Sequence, residues 1–185
     1  MHVVFVRGPT GTTVATVHRA DGVSLLLPGN DRKFRVPHDL AHFATEREFE
    51  ISGGVFGAIA AGGVFDTMRV VAGKPRHDAA ARSKRILDTH RPTLTMAELL
   101  AGVVHRAVED EAADRLPVLL RNAWNSLGTD PFPWTDEHIG RAGRTLTELA
   151  AEWEAQGTVK VTWPDHLVAR IPAARGIRRG RRGRT

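Results

Sequence analysis

The sequence predicts an α+β domain that is mostly helical, with a small antiparallel sheet packed against a helical bundle. Three observations predict this class. Short β-branched runs separated by turn residues fill the first 27 residues. Long segments with helical periodicity follow, and a β-branched run returns at Thr158–Trp163. We expect this last run to pair with the N-terminal strands, because an isolated strand cannot satisfy its backbone hydrogen-bonding groups.

The N-terminal strands are predicted to form a three-stranded meander. His2–Arg7 is apolar and β-branched, Thr12–His18 alternates apolar and polar residues, and Val23–Leu27 is apolar. Turn sequences rich in glycine separate these runs at 8–11 and 20–22. Such short connections favour antiparallel neighbours.

The middle of the chain is predicted to be helical. The pattern predicts helices over about 38–49, 55–71, 76–90, 96–113 and 116–127, and a last one after Thr135-Asp136-Glu137. Gly62-Gly63 is a candidate break in the second of these helices. Thr95-Met96-Ala97-Glu98 matches a capping box, which places a helix start at that point.

The length of 185 residues favours one globular domain, which we assign to residues 1–172. Residues 173–185 form an Arg/Gly-rich tail of low complexity, which is predicted to be disordered. This tail accounts for the net charge of +5, because without its six arginines acidic residues outnumber basic ones by one. The basic balance therefore indicates no basic face on the domain itself.

The composition excludes several kinds of chemistry. The chain has no cysteine, so disulfides, thiolate metal sites and thiol nucleophiles are excluded, and a transition metal must be bound by His, Asp or Glu. The N-terminal residues lack the pattern of a signal peptide. The uncharged run Ile51–Phe65 is shorter than the roughly 20 residues that span a bilayer. We therefore expect a soluble cytoplasmic protein without membrane contacts.

The strongest candidate site lies on the helix that begins at His38. At about 100° per residue, His38, Asp39, His42 and Glu46 point into one quadrant of this helix, away from its apolar residues. Two histidines four residues apart can bind one metal ion. We predict a divalent metal site, with zinc as the preferred ion and His38, His42 and Glu46 as ligands. Asp39 is the candidate catalytic residue, as a general base or as a partner that orients an imidazole.

The same pattern also has a simpler interpretation. The four polar residues could form a solvated face of an amphipathic helix, with at most a hydrogen bond between a histidine and a carboxylate. His105 and Glu109 form a second pair with helical spacing, which could add ligands from across the core. Their position opposite an apolar stripe favours an exposed polar face instead.

The segment His38-Asp39-Leu40-Ala41-His42 resembles the zincin helix, with Asp39 in place of the glutamate. It also resembles the HDxxH zinc motif of the coenzyme Q biosynthesis protein, whose further glutamate ligand corresponds to Gly54 in this chain. Both resemblances cover one or two helix turns. They imply metal binding at His38, Asp39 and His42, and they define no reaction. The segment is also similar to segments of uncharacterised bacterial proteins, from which no activity follows.

Two functional hypotheses follow from these features. The first is a metal-dependent hydrolase or lyase that acts on a small substrate. The second is a non-catalytic binding or regulatory protein whose basic tail binds nucleic acid or an acidic partner weakly. The tail residues predicted to make phosphate contacts are Arg178, Arg179, Arg181 and Arg182. The Gly/Ala-rich segment Ile51–Phe65 could also pack at a homodimer interface.

Overall fold

The structure, a computed structural model, describes residues 1–8, 11–29, 34–128 and 130–171. Within these residues it has five strands: β1 (His2–Arg7), β2 (Thr13–His18), β3 (Ser24–Pro28), β4 (Arg69–Ala72) and β5 (Thr158–Thr162). It also has five α-helices: α1 (His38–Glu48), α2 (Val55–Ala61), α3 (Ala79–Glu109), α4 (Leu116–Ser126) and α5 (Asp136–Gln156). This content confirms the predicted α+β class.

The sheet is built around the predicted meander. Its strand order is β4-β3-β2-β1-β5, and the neighbouring strands are antiparallel. Val3 of β1 lies opposite Val17 of β2 and Val161 of β5, so the C-terminal strand pairs with the first strand as predicted. Phe5 and Leu25 are inaccessible to solvent, because alternate side chains of each strand point into the core shared with the helices.

The region after α2 differs from the prediction of a helix over 55–71. Gly62 adopts a left-handed conformation with φ of 113°, and this residue ends α2. The β-branched residues Val70 and Val71 then form part of β4, which pairs with β3 at the edge of the sheet. The predicted helix is therefore wrong beyond Ala61, and β4 was not predicted.

The predicted helices over 76–90 and 96–113 form one continuous helix, α3. Pro92 lies inside this helix, although proline removes a backbone N–H group and usually breaks helices. Pro92 is on the exposed side of α3, where water can replace the lost hydrogen bond. The predicted capping box is wrong as a consequence, because Thr95 and Glu98 lie in the interior of the helix rather than at its start.

Helix α1 lies in the centre of the fold, in contact with α2, α3 and α5. Its residues from Leu40 to Glu46 are all buried. Phe43 packs edge-to-face against Phe56 of α2 and against Trp163 after β5, with ring centroids 5.4 and 5.7 Å apart. Because this part of α1 is buried around its whole circumference, its polar side chains need partners inside the protein.

Among the described residues, no helix is long and apolar enough to cross a membrane. The segment 51–65 is largely packed within the chain, since Phe56, Ala58 and Ile59 are inaccessible to solvent. The homodimer remains a prediction. The predicted tail, including Arg178, Arg179, Arg181 and Arg182, lies outside the described residues.

Candidate metal centre

Helix α1 holds its two histidines next to each other. His38 is the first residue of the helix, and His42 follows one turn later. Their ring centroids are 4.8 Å apart, and the ring planes are perpendicular. The His38 side chain is 28% exposed, whereas that of His42 is 3% exposed. The pair therefore extends from the surface into the core.

Glu98 of α3 joins the two histidines from the neighbouring helix. Its Oε1 atom lies 3.2 Å from Nε2 of His38, and its Oε2 atom lies 2.9 Å from Nε2 of His42. The ligand atoms of these three residues all lie within 4.8 Å of one another. His38, His42 and Glu98 thus form a group that could hold a metal ion, and we call it the triad.

Glu46 lies on the other side of His42, in the core. Its Oε1 atom accepts hydrogen bonds from His42 Nδ1 at 2.9 Å and from the Val55 N–H group at 2.8 Å. Its Oε2 atom accepts from the Phe56 N–H group at 3.0 Å. The carboxylate, which is inaccessible to solvent, therefore satisfies both the imidazole and the first turn of α2. Gly54 makes room for it, since a Cβ atom there would lie 2.4 Å from Glu46 Cδ.

His105 of α3 orients the ring of His38, as Glu46 orients the ring of His42. Its Nε2 atom donates to the carbonyl oxygen of Val36 at 2.8 Å, because a carbonyl can only accept. In the neutral ring, Nδ1 of His105 then accepts from Nδ1 of His38, which lies 3.2 Å away. His105 is 4% exposed, so the prediction of an exposed polar face at this position is wrong.

These outer partners determine which nitrogen atoms face Glu98. Glu46 accepts a hydrogen bond from the Nδ1–H group of His42, and Nδ1 of His105 accepts one from the Nδ1–H group of His38. The Nε2 atoms of both rings are left pointing at the same carboxylate. Metal-binding histidines in proteins are generally oriented in this way, with the second ring nitrogen donating to a fixed acceptor.

Two side chains of the triad, His42 and Glu98, have strongly shifted pKa values in the metal-free protein. Burial by itself would lower the pKa of His42, but its hydrogen bonds to Glu46 and Glu98 outweigh this effect and raise the pKa to about 10. Hydrogen bonds from His38 and His42 hold the pKa of Glu98 well below its usual value. Metal-free His42 is therefore a cation between two carboxylates, in a position where a metal ion could replace its proton.

The structure groups the predicted residues differently from the helical projection. His38 and His42 lie together as expected, but Glu98 rather than Glu46 is the carboxylate that faces both Nε2 atoms. Asp39 is half-buried and, with His38, lines a cavity of about 310 Å³. The solvated polar face of the simpler interpretation is wrong at His42 and Glu46, because both are buried. The hydrogen bond between a histidine and a carboxylate that it allowed is present between these two residues.

Sequence reasoning missed Glu98 and the role of His105. The capping-box pattern assigned Glu98 to a helix start, and the apolar stripe placed His105 in solvent. Glu98 and His105 are seven residues apart, and residues seven apart lie on nearly the same side of a helix. This spacing could have predicted that the two side chains share one face of α3. That face of α3 is the one that packs against α1.

Comparison with known protein families, curated proteins and solved structures gives no match to this chain.

Proposed function

We propose that the protein is a zinc-dependent hydrolase that acts on a small substrate, with His38, His42 and Glu98 as the zinc ligands. The observation that carries the proposal is the convergence of two Nε2 atoms and one carboxylate from two helices. A site of this composition uses three of the four positions of tetrahedral zinc and leaves one for water or substrate.

The donor set supports a transition-metal ion such as zinc over magnesium or calcium. Two imidazole nitrogens and one carboxylate oxygen suit zinc, whereas magnesium and calcium prefer sites made of oxygen alone. Glu46 and His105 support metal binding as such, because each fixes the ring orientation of one proposed ligand. Such fixed rings lower the conformational cost of binding an ion.

The open side of the triad supports a catalytic role. The Glu98 side chain is 66% exposed and that of His38 is 28% exposed, so water and small molecules can reach the site. A bound zinc ion would lower the pKa of its water toward neutrality and polarise a substrate carbonyl. Asp39 borders the cavity beside His38 and is the proposed general base that takes a proton from the attacking water. A lyase reaction at the same site is the alternative.

A specific observation favours a second, non-catalytic role for the triad. Protonated His42 binds Glu46 and Glu98 at the same time and so joins α1 to α3 without any metal. The triad would then be an ion-pair network that stabilises the packing of two helices. The zinc site predicts that zinc binds in stoichiometric amounts and that this binding requires the exposed residues of the triad. The ion-pair network predicts no stoichiometric zinc.

Metal analysis of chelator-treated and zinc-reloaded protein tests the proposal. We expect about one zinc per chain, and hydrolysis of a simple ester that stops on chelation and returns with zinc. His38→Gln should lower zinc affinity by at least about 100-fold, more than the loss of an outer-shell partner. The matched control is His166→Gln, an exposed histidine outside the triad, which should bind zinc normally.

Three results would decide against zinc hydrolysis at the triad. If the wild-type protein retains no stoichiometric zinc, the triad is an ion-pair network. If zinc binds equally well to wild-type and His38→Gln proteins, the metal lies elsewhere. Stoichiometric zinc without hydrolysis of any ester or amide would favour the lyase alternative. Zinc-loaded protein would then be assayed for lyase activity.

A further inference from the structure

A groove runs along the outer side of α3, next to the triad. Its volume is about 400 Å³, which is within the range of small-molecule sites. Its lining is mostly apolar and comes from α3 and α4: Glu98, Leu99, Gly102, Val103, Arg106 and Leu119. Because Glu98 belongs both to this groove and to the triad, a molecule in the groove would reach the proposed zinc ion.

Gly102 lines the groove without adding a side chain to it. A Cβ atom added at this position would meet no other atom within 4 Å, so packing does not require a glycine here. A glycine inside a helix costs about 1 kcal/mol relative to alanine. The open space beside Gly102 allows a ligand to approach the backbone of α3 closely.

The two ends of the groove differ in charge. Glu98 lies at one end, and Arg106 lies eight residues further along α3, which corresponds to roughly 12 Å. Arg106 is exposed, and its guanidinium lies 5.7 Å from the centre of the Phe34 ring. Among the described residues it forms no ion pair, so its charge is available to a ligand.

The other cavity beside the triad has a different character. It lies next to His38 and Asp39, and Thr13 and Thr67 contribute to its lining. It has no basic residue in its lining other than His38 and is smaller, about 310 Å³. An apolar chain with an anionic end therefore fits the groove on α3 better than this cavity.

We propose that the groove binds the apolar chain of the substrate, with the reacting carbonyl at the triad and an anionic group at Arg106. The substrate class is thus an ester or amide of a medium-length carboxylic acid that carries a second, terminal acid group. This inference rests on the proposed zinc site for its catalytic part. Binding of the chain itself rests on Gly102, Arg106 and the apolar walls.

Hydroxamates of different length test the proposal, because a hydroxamate binds zinc in place of the reacting carbonyl. Zinc-loaded protein is titrated calorimetrically with acetohydroxamate, octanohydroxamate and suberic monohydroxamate. The octanoyl chain should raise affinity over acetohydroxamate by at least about tenfold through apolar burial. The terminal carboxylate of the suberic compound should add about threefold to tenfold more through Arg106.

Variants separate the groove from the metal. Gly102→Leu should abolish the gain from the chain, because the new side chain fills the groove. The quantity compared is the ratio of octanohydroxamate to acetohydroxamate affinity within each protein, which isolates the chain even where the leucine, one helical turn from Glu98, also changes zinc affinity. Gly102→Ala is the size control and should retain most of the gain. Arg106→Gln should remove only the gain from the terminal carboxylate, and Arg85→Gln, an exposed arginine of α3, should change nothing.

The outcomes distinguish this inference from the proposed function. If octanohydroxamate keeps its advantage in Gly102→Leu, or has none in the wild type, the groove is not the chain site. If the suberic compound binds no better than octanohydroxamate, the anionic part is wrong. If zinc and acetohydroxamate fail to bind, the proposed function fails. Octanoate on metal-free protein then decides the groove: an NMR shift of the Gly102 amide supports it, and no shift overturns it.

Discussion

The triad and its partners have a buried half and an open half, which differ in what surrounds each charge. In the buried half, His42 is 3% exposed and Glu46 is inaccessible to solvent. In the open half, His38 is 28% exposed and Glu98 is 66% exposed. A charge that loses its partner in the core remains uncompensated, whereas water replaces a lost partner at the surface.

This difference separates folding stability from ligand binding. The buried half fixes the imidazole of His42 and the first turn of α2, so its main contribution is to the fold. The open half presents two donor atoms to solvent, so its main contribution is to binding. Substitutions in the two halves should accordingly change different measured quantities.

The largest effect is expected for Glu46→Ala. This change leaves the Nδ1–H group of buried His42 and two N–H groups of α2 without their acceptor, and we expect the free energy of unfolding to fall by about 3–5 kcal/mol. Urea denaturation followed by circular dichroism measures it. The control is Glu148→Ala on the exposed side of α5, which should change stability by less than about 0.5 kcal/mol. A loss below about 1 kcal/mol for Glu46→Ala would mean that the two halves do not differ in their contribution to the free energy of unfolding.

His105→Ala should have the next largest effect and act on both quantities. It removes the acceptor that orients His38, so zinc affinity should fall by about 10- to 100-fold. It also leaves the buried carbonyl of Val36 without its donor, at a cost of about 1–3 kcal/mol in stability. Calorimetric zinc titration and urea denaturation measure the two effects. Unchanged zinc affinity at reduced stability would make His105 a core residue only.

The pH dependence of zinc affinity should be of intermediate size. Metal-free His42 remains protonated through neutral pH, since its pKa is raised to about 10. Zinc must displace this proton, so affinity should rise by about tenfold per pH unit between pH 6 and 8. Titrations in buffers of different ionisation enthalpy should show about one proton released. Affinity independent of pH would show that zinc displaces no proton from His42 in this range.

The same protonation contributes to the stability of the metal-free fold. Because the pKa of His42 is raised above its usual 6.5, this stabilisation is fully present below about pH 6.5 and is lost as pH rises through about 10. Zinc replaces the proton by a cation that does not titrate. The zinc-loaded protein should therefore lose less stability than the metal-free protein between pH 8 and 10.

Asp39→Asn should have the smallest effect on zinc affinity, within about threefold, because Asp39 is not part of the triad. As the proposed general base, Asp39 should still matter for the reaction, and its loss should slow zinc-dependent hydrolysis by at least about 100-fold. Ester hydrolysis at equal zinc occupancy measures this. Equal rates for the two proteins would remove Asp39 from the mechanism.

The sequence predicted those parts of the fold that depend on local patterns. Alternation identified the meander and β5, and the stripe that includes Ile139, Leu146 and Trp153 identified α5 with its Thr135 cap. The wrong predictions at Pro92 and after Gly62 concern positions where the tertiary surroundings outweighed the local sequence pattern. Exposure of Pro92 allowed α3 to continue, and an edge position beside β3 turned 69–72 into a strand.

The site was predicted only in part, for a reason that lies in α1. The projection of His38, Asp39, His42 and Glu46 onto one face was geometrically sound. It assumed that a polar face meets solvent or a metal, whereas this helix is buried around its circumference. Glu46 accepts hydrogen bonds from backbone N–H groups of α2. The carboxylate that faces both histidines is that of Glu98 in α3, 56 residues after His42. Such pairings depend on tertiary packing, which helical periodicity does not contain.

Zinc affinity and stability of the variant Glu98→Gln test the central claim most directly. Because Glu98 lies in the open half, we predict that zinc affinity falls by at least about 100-fold while the free energy of unfolding of the metal-free protein changes by less than about 1 kcal/mol. Glu148→Gln should match the wild type in both measurements. Retained zinc affinity in Glu98→Gln would contradict the assignment of Glu98 as a metal ligand, and a loss of stability as large as that of Glu46→Ala would contradict its place in the open half.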